Sequence, residues 1–121
     1  MAQKLVLVCT KAAEDPEHAT IPFVLATTAQ AMDVEVVLGF QGEGVWLASK
    51  GVIEGIAAPG FPPLKELFAA YREAGGELLV CGPCAQSRKI DPKNDFVDGA
   101  MVVNGPTFVK EFLSATNVMV Y

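Results

Sequence analysis

Cys81 and Cys84 are the residues best placed to do chemistry in this chain. They bracket Gly82 and Pro83, so the stretch reads Cys-Gly-Pro-Cys. Leu78-Leu79-Val80 precedes them, an apolar run without polar alternation that suits a strand buried on both faces of a parallel sheet. Ala85 to Lys89 follows, a good helix-forming stretch with Arg88 and Lys89 toward its end. A strand, a tight turn and a helix start place Cys81 at the carboxyl edge of a sheet, where open α/β folds bind ligands. Amides at the helix start and the helix dipole favour a thiolate there. Arg88 and Lys89 add positive charge if they fold back.

Three chemistries use such a pair. In metal binding the pair supplies two ligands where zinc needs four. The remaining candidates are Cys9, His18 and scattered carboxylates, so no structural zinc site is expected. In dithiol redox the first cysteine attacks and the second resolves the mixed disulfide. Cys-Gly-Pro-Cys is the thioredoxin tetrapeptide. Here, however, it follows a third strand rather than a first, with little chain after it, and Val80 replaces the aromatic residue expected before it. In persulfide transfer one activated thiolate accepts a sulfane sulfur and passes it on, and a neighbouring thiol can release it. Against all three stands a pair of cysteines packed as small hydrophobes. That reading is less attractive for a pair that brackets Gly-Pro at a strand-to-helix junction.

The rest of the chain reads as a scaffold for that turn. Its 121 residues suffice for one domain, 1–121, with a single core. Hydrophobic residues make up 51% and the mean hydropathy is +0.35. No apolar run approaches the roughly 20 residues of a membrane helix, so no membrane partner is expected. The apolar content belongs in a fully buried sheet or a subunit interface. Met1-Ala2-Gln3-Lys4 runs directly into a strand, which does not read as a signal peptide. A net charge of −5 argues against direct nucleic-acid binding. Three cysteines, two of them close together, do not make a secreted disulfide framework, so a reducing cytoplasm is expected.

Strands and helices alternate along the sequence. Lys4–Cys9 reads as the first strand. Pro16 and Glu17 suit a first helical turn, ahead of a helix over Ala19–Met32. Pro22 is tolerable there only if the helix starts near it. Val34–Phe40 is the second strand, and Gly42–Ser49 is a loop running into a short helix. Val52–Pro63 is a Gly/Pro-rich connection. Leu64–Ala74 is an amphipathic helix stopped by Gly75-Gly76. Glu77–Val80 is the third strand and Ala100–Val103 the fourth. Thr107 caps a helix reaching Ser114, and Asn117–Tyr121 is a fifth strand. This alternation predicts an α/β fold with a five-stranded parallel sheet and helices on both faces.

Other candidates carry less. His18 sits near a carboxyl edge and could serve Cys81 as a base, but a solvated histidine at a helix start is the favoured reading. Cys9 ends the first strand as a buried hydrophobe, which an adjacent strand could bring near Cys81. Trp46 packs over a pocket or in an interface. Gly42 and Gly44 lack the Lys-Ser/Thr of a P-loop. The first βα turn, Thr10–His18, has no glycine and is acidic, which disfavours dinucleotide or flavin phosphates. No cofactor is therefore expected.

Several stretches together resemble the DsrE/DsrF-like family of small sulfur-relay proteins, which includes the tRNA-thiolation sulfurtransferase subunits. They are KLVLVCT with the small-residue helix after it, VEVVLGFQGEGVWLASKG, the cysteine between a strand and the pair Arg88-Lys89, and the ending FLSATNVMVY. The resemblance implies a three-layer α/β/α sandwich that assembles as a homotrimer or homohexamer. It places the sulfur-accepting cysteine at Cys81, and implies sulfur donor and acceptor proteins or small thiols as partners. Cys84 departs from the best-known sulfurtransferase subunits, which keeps redox chemistry open. The resulting expectation is a cytoplasmic sulfur carrier using Cys81 and Cys84. The alternatives are a small oligomeric binding or regulatory module with structural cysteines, or a thiol–disulfide oxidoreductase.

Overall fold

The computed structural model describes residues 2–121, so Met1, the first residue of the segment read as running into a strand, lies outside the described residues. Five strands form one sheet: β1 (Lys4–Cys9), β2 (Glu35–Phe40), β3 (Glu77–Cys81), β4 (Ala100–Val103) and β5 (Asn117–Val120). Their order is β4-β3-β2-β1-β5 and every pairing is parallel. The strands lie within a residue of where the sequence places them. The helices are α1 (Pro16–Ala31), α2 (Leu64–Glu73), α3 (Gly82–Ser87) and α4 (Gly105–Ser114). A 3₁₀ helix over Gly42–Ala48 follows β2, and a shorter one, Ile53–Gly55, lies in the Gly/Pro-rich connection.

The first helix begins at Pro16, where Pro16 and Glu17 suit a first turn, and Pro22 lies inside it rather than near its start. The Asp15 carboxylate accepts from the His18 amide at 3.2 Å, which caps the first turn. Pro22 lacks an amide, so the carbonyl that it leaves free four residues back is that of His18, an exposed residue of this first turn. The Pro22 ring itself is buried in the core face of the helix. The last helix starts at Gly105 after Asn104, two residues before Thr107, with Pro106 in its first turn. Proline suits that position because the first amides of a helix have no partner in any case.

The sheet alternation divides the core in two. Leu7, Cys9, Leu38, Phe40, Leu78 and Val80 face α1 and α2, where Phe23, Phe68 and Tyr71 join them. Phe23 centres an aromatic group, 5.5 Å from the Phe68 ring and 6.3 Å from Phe40. Val6, Val37 and Leu79 face the opposite side, where Phe108 of α4 covers them. Gly39 makes that contact possible, since a Cβ there would stand 2.7 Å from the Phe108 ring. Helices on both faces give three layers.

Tyr71 ties α2 to the point where β3 joins the sheet. Its buried hydroxyl accepts from the Leu38 amide at 3.1 Å and donates to the Glu77 carbonyl at 2.6 Å. Burial pushes its pKa far above the ordinary phenol range, so the group stays neutral. Tyr71→Phe leaves a buried amide without an acceptor. The substitution is expected to cost about 1–3 kcal/mol in urea unfolding, and a loss below about 0.5 kcal/mol would contradict the role given to the hydroxyl.

Candidate functional site

Cys81 is both the last residue of β3 and the N-cap of α3. Its Sγ accepts from the Cys84 amide at 3.3 Å. Hydrogen bonding to the sulfur favours the thiolate once the pair is reduced. The two sulfurs are joined as a disulfide, with the Cα atoms 5.3 Å apart, inside the range of about 4.4–6.8 Å that disulfides span.

Both cysteines are half-buried. Cys81 is screened by β4, whose Val103 pairs with it in register. Gly82 also sits close under the end of β4, so that a Cβ there would lie 3.2 Å from the Val103 carbonyl and 3.3 Å from the Asn104 side chain. The beginning of α4 thus screens one flank of the turn.

Arg88 and Lys89 have different fates. Arg88 folds back: its Nη1 donates to the Cys84 carbonyl at 3.1 Å, while its Nε donates to the Glu43 carboxylate at 2.9 Å. Glu43 lies in the 3₁₀ helix after β2, and no sequence signal pointed to it. Its charge offsets the guanidinium beside the turn. Lys89 has φ +56° and ends α3 where glycine is usual. Its amide donates to the Gln86 carbonyl at 3.0 Å, and the Ile90 amide donates to the Ala85 carbonyl at 3.0 Å.

A cleft of about 670 Å³ adjoins the turn. Gly82, Pro83, Gln86, Lys89, Val102 and Asn104 are among its walls. The two residues between the cysteines therefore form part of this cleft, although the cysteines themselves do not line it.

Cys9 and His18 stand apart from this arrangement. Cys9 is paired with Phe40, and Phe40 with Val80, so β2 lies between Cys9 and the strand of Cys81. Burial pushes the Cys9 thiol far above its ordinary pKa, which keeps it a neutral core residue. His18 is exposed, with Nδ1 3.0 Å from the Asp15 carboxylate, and no hydrogen bond links it to the cysteine turn. Trp46 packs against the main core and lines a second cavity beside Lys89. Among the described residues, no three of His, Cys, Asp and Glu gather as a metal site would require.

The profile of the DsrE/DsrF-like family matches residues 3–121. The chain belongs to that family. An uncharacterised protein of Methanocaldococcus jannaschii is 30% identical over 115 residues, which is 95% of this chain and 41% of the relative. The chain thus spans less than half of that protein. Among solved structures, the YchN protein of E. coli superposes with a TM-score of 0.80 at 19% identity, covering 98% of this chain and 99% of YchN. A protein of unknown function from Methanobacterium thermoautotrophicum superposes at 0.70 with 11% identity, covering 98% and 99%. At such identities the likeness is one of fold.

In this DsrE/DsrF-like chain the three thiols should separate by reactivity. After reduction, alkylation of the native protein should label Cys81 and Cys84 and spare Cys9, as read by peptide mass spectrometry. With Cys9 and Cys84 replaced by serine, the rate at Cys81 should rise with pH around a midpoint below the free value of about 8.5. A midpoint at or above that value would remove the case for an activated thiolate.

Proposed function

We propose that this DsrE/DsrF-like protein is a cytoplasmic sulfur carrier that holds a persulfide on Cys81, with Cys84 as the thiol able to discharge it. The single observation that carries this reading is the joined Cys81–Cys84 pair at the carboxyl edge of β3, beside an open cleft. Family membership supports a role related to sulfur relay.

The chemistry balances with two thiols. The Cys81 thiolate attacks the outer sulfur of a donor persulfide, a Cys81–S–SH forms, and the donor leaves as a thiolate. An acceptor thiolate then takes the outer sulfur and frees Cys81. Alternatively, Cys84 attacks the Cys81 sulfur, the disulfide forms and hydrosulfide leaves. A small thiol must then supply two electrons to reopen the pair. Donor and acceptor are proteins or small thiols, and the cleft beside Pro83 is where we place them.

The proposal includes assembly of identical subunits as a homotrimer or homohexamer. Met101 of β4 and Val118 and Val120 of β5 lie on the α4 side of the sheet, and all are exposed, as are Val109 and Leu113 on α4 itself. An apolar surface of this kind suits contact between copies.

The proximity of Cys81 and Cys84 also suits a second reading, a thiol–disulfide oxidoreductase, in which the pair exchanges electrons without carrying sulfur. Intact mass after incubation of the reduced protein with a sulfane-sulfur donor separates the two. Steps of one sulfur atom are expected, and loss of two hydrogens alone would favour the oxidoreductase. Cys81→Ser should abolish loading, whereas Cys84→Ser should leave it intact and lengthen the life of the persulfide. A requirement for Cys84 alone would reverse the roles. Light scattering at micromolar concentration should report more than one subunit, and a monomer would contradict the assembly.

A further inference from the structure

The cysteine turn gets limited help from its own helix. Only six residues, Gly82–Ser87, make up α3, so few peptide dipoles add along it. Pro83 has no amide to offer. Among the described residues, the Cys84 amide is the one donor to Cys81 Sγ. A reactive thiolate there calls for a further source of positive charge. We propose that Arg88 is the positioning residue that supplies it to the reduced Cys81–Cys84 pair, and that Glu43 limits how much of that charge the pair feels. This role rests on the pair being reactive, as in both readings above, and needs no sulfur transfer.

The first support is the bonding of Cys84. In a continuing α-helix its carbonyl would accept from the amide four residues on, that of Arg88. Here the Arg88 amide donates to the Ala85 carbonyl instead, at 3.1 Å. The Cys84 carbonyl is left to side chains, and it accepts from Arg88 Nη1 at 3.1 Å and from Ser87 Oγ at 3.0 Å. One residue thus connects the two ends: its amide holds the Cys81 sulfur and its carbonyl holds the guanidinium. The cysteines and Arg88 are all half-buried, where water and salt screen a charge less than at an open surface.

The second is the scarcity of other charges facing the turn. On the β4 flank stand Val102, Val103 and Asn104, none of them ionisable. Lys89 and Asp91 lie beyond the end of α3, along the cleft. Lys89 is exposed, and Asp91 is engaged in its own loop, accepting from the Lys93 amide at 2.9 Å and from Asn94 Nδ2 at 2.8 Å. The remaining element packed on α3 is the 3₁₀ helix Gly42–Ala48, which brings Glu43.

The third is how firmly Glu43 is placed. It stands between two glycines that the turn requires. Gly42 has φ +56°, and a Cβ on Gly44 would collide with the Cys9 carbonyl. The Gln41 amide also donates to that carbonyl, at 3.1 Å. The end of β1 therefore fixes the element from which Glu43 reaches Arg88 Nε at 2.9 Å. Glu43 itself is exposed, and an ion pair with an exposed partner adds little to stability. Its larger effect falls on the thiols: the guanidinium favours a thiolate, and the carboxylate opposes it.

Opposite signs make the test decisive. Alkylation of Cys81 would be followed against pH in chains with Cys9→Ser and Cys84→Ser, which keep the carbonyl that Arg88 holds. Glu43→Gln should lower the midpoint by roughly half a unit, and Arg88→Met should raise it by about as much. Both shifts should shrink between about 0.05 M and 1 M salt. Arg88→Lys, which keeps the charge without the planar fork, should recover part of the loss. The double variant, lacking both charges, should fall between the two single variants. With both cysteines present, two glutathione thiols reduce the Cys81–Cys84 disulfide and leave as glutathione disulfide, passing two electrons and two protons to the pair. Glu43→Gln should move that equilibrium toward the reduced pair and Arg88→Met toward the disulfide. A contact that served structure alone would move both single variants the same way, with the double variant at least as far. That outcome, or a midpoint that Glu43→Gln leaves in place or raises, overturns the assignment. Failure of sulfur loading with this ordering intact would remove the carrier reading and leave the role of Arg88 standing.

Discussion

The position of the cysteine turn depends on β3 being paired on both sides. Leu78, Leu79 and Val80 pair with Leu38, Gly39 and Phe40 of β2, and with Ala100, Met101 and Val102 of β4. Both faces are also covered, so the strand has almost no freedom to slide: a shift of one residue would send its alternate side chains to the wrong layer. Cys81 is the last residue inside this frame. The chain turns into α3 there because Pro83 suits a first helical turn and Cys81 supplies the cap. The sulfur is therefore held by the sheet and the helix together, not by a loose loop.

The two faces of the sheet carry unequal cover. On one side α1 and α2 bury a continuous core, with the aromatic group around Phe23 at its centre. On the other, α4 alone spans the middle strands, and its Phe108 reaches the sheet because Gly39 has no side chain. Strand order explains the difference. The connections from β1 to β2 and from β2 to β3 advance the same way, whereas the connection from β4 returns across the sheet to β5. A right-handed crossover in the reverse direction must lie on the opposite face. The outer strands are then left bare beside α4.

Consecutive basic residues after the cysteines divide their work. Arg88 spends its hydrogen bonds on Glu43 and the Cys84 carbonyl, which locks α3 to the 3₁₀ helix after β2. Among the described residues the Lys89 side chain makes no hydrogen bond, and Lys89 stands at the wall shared by two cavities. One residue step moves a side chain by about 100° around a helix axis, and the left-handed backbone of Lys89 turns it further. One charge is thus committed to holding the cysteine turn, and the next is left at the cavity wall.

Apolar runs and turn residues were enough to determine the strands, their parallel arrangement and the place of Cys81, because each buried strand is a short uninterrupted run and its boundaries are marked by glycine, proline or charge. Pro22 misled, since local propensity cannot weigh a missing hydrogen bond against a ring buried in the core. The partial burial of both Cys81 and Cys84, the pairing of Arg88 with Glu43 and the separation of Cys9 from the turn were decided only by the tertiary structure. Each depends on which strands and loops become neighbours. That follows from crossovers between distant segments, and no spacing within one segment encodes it.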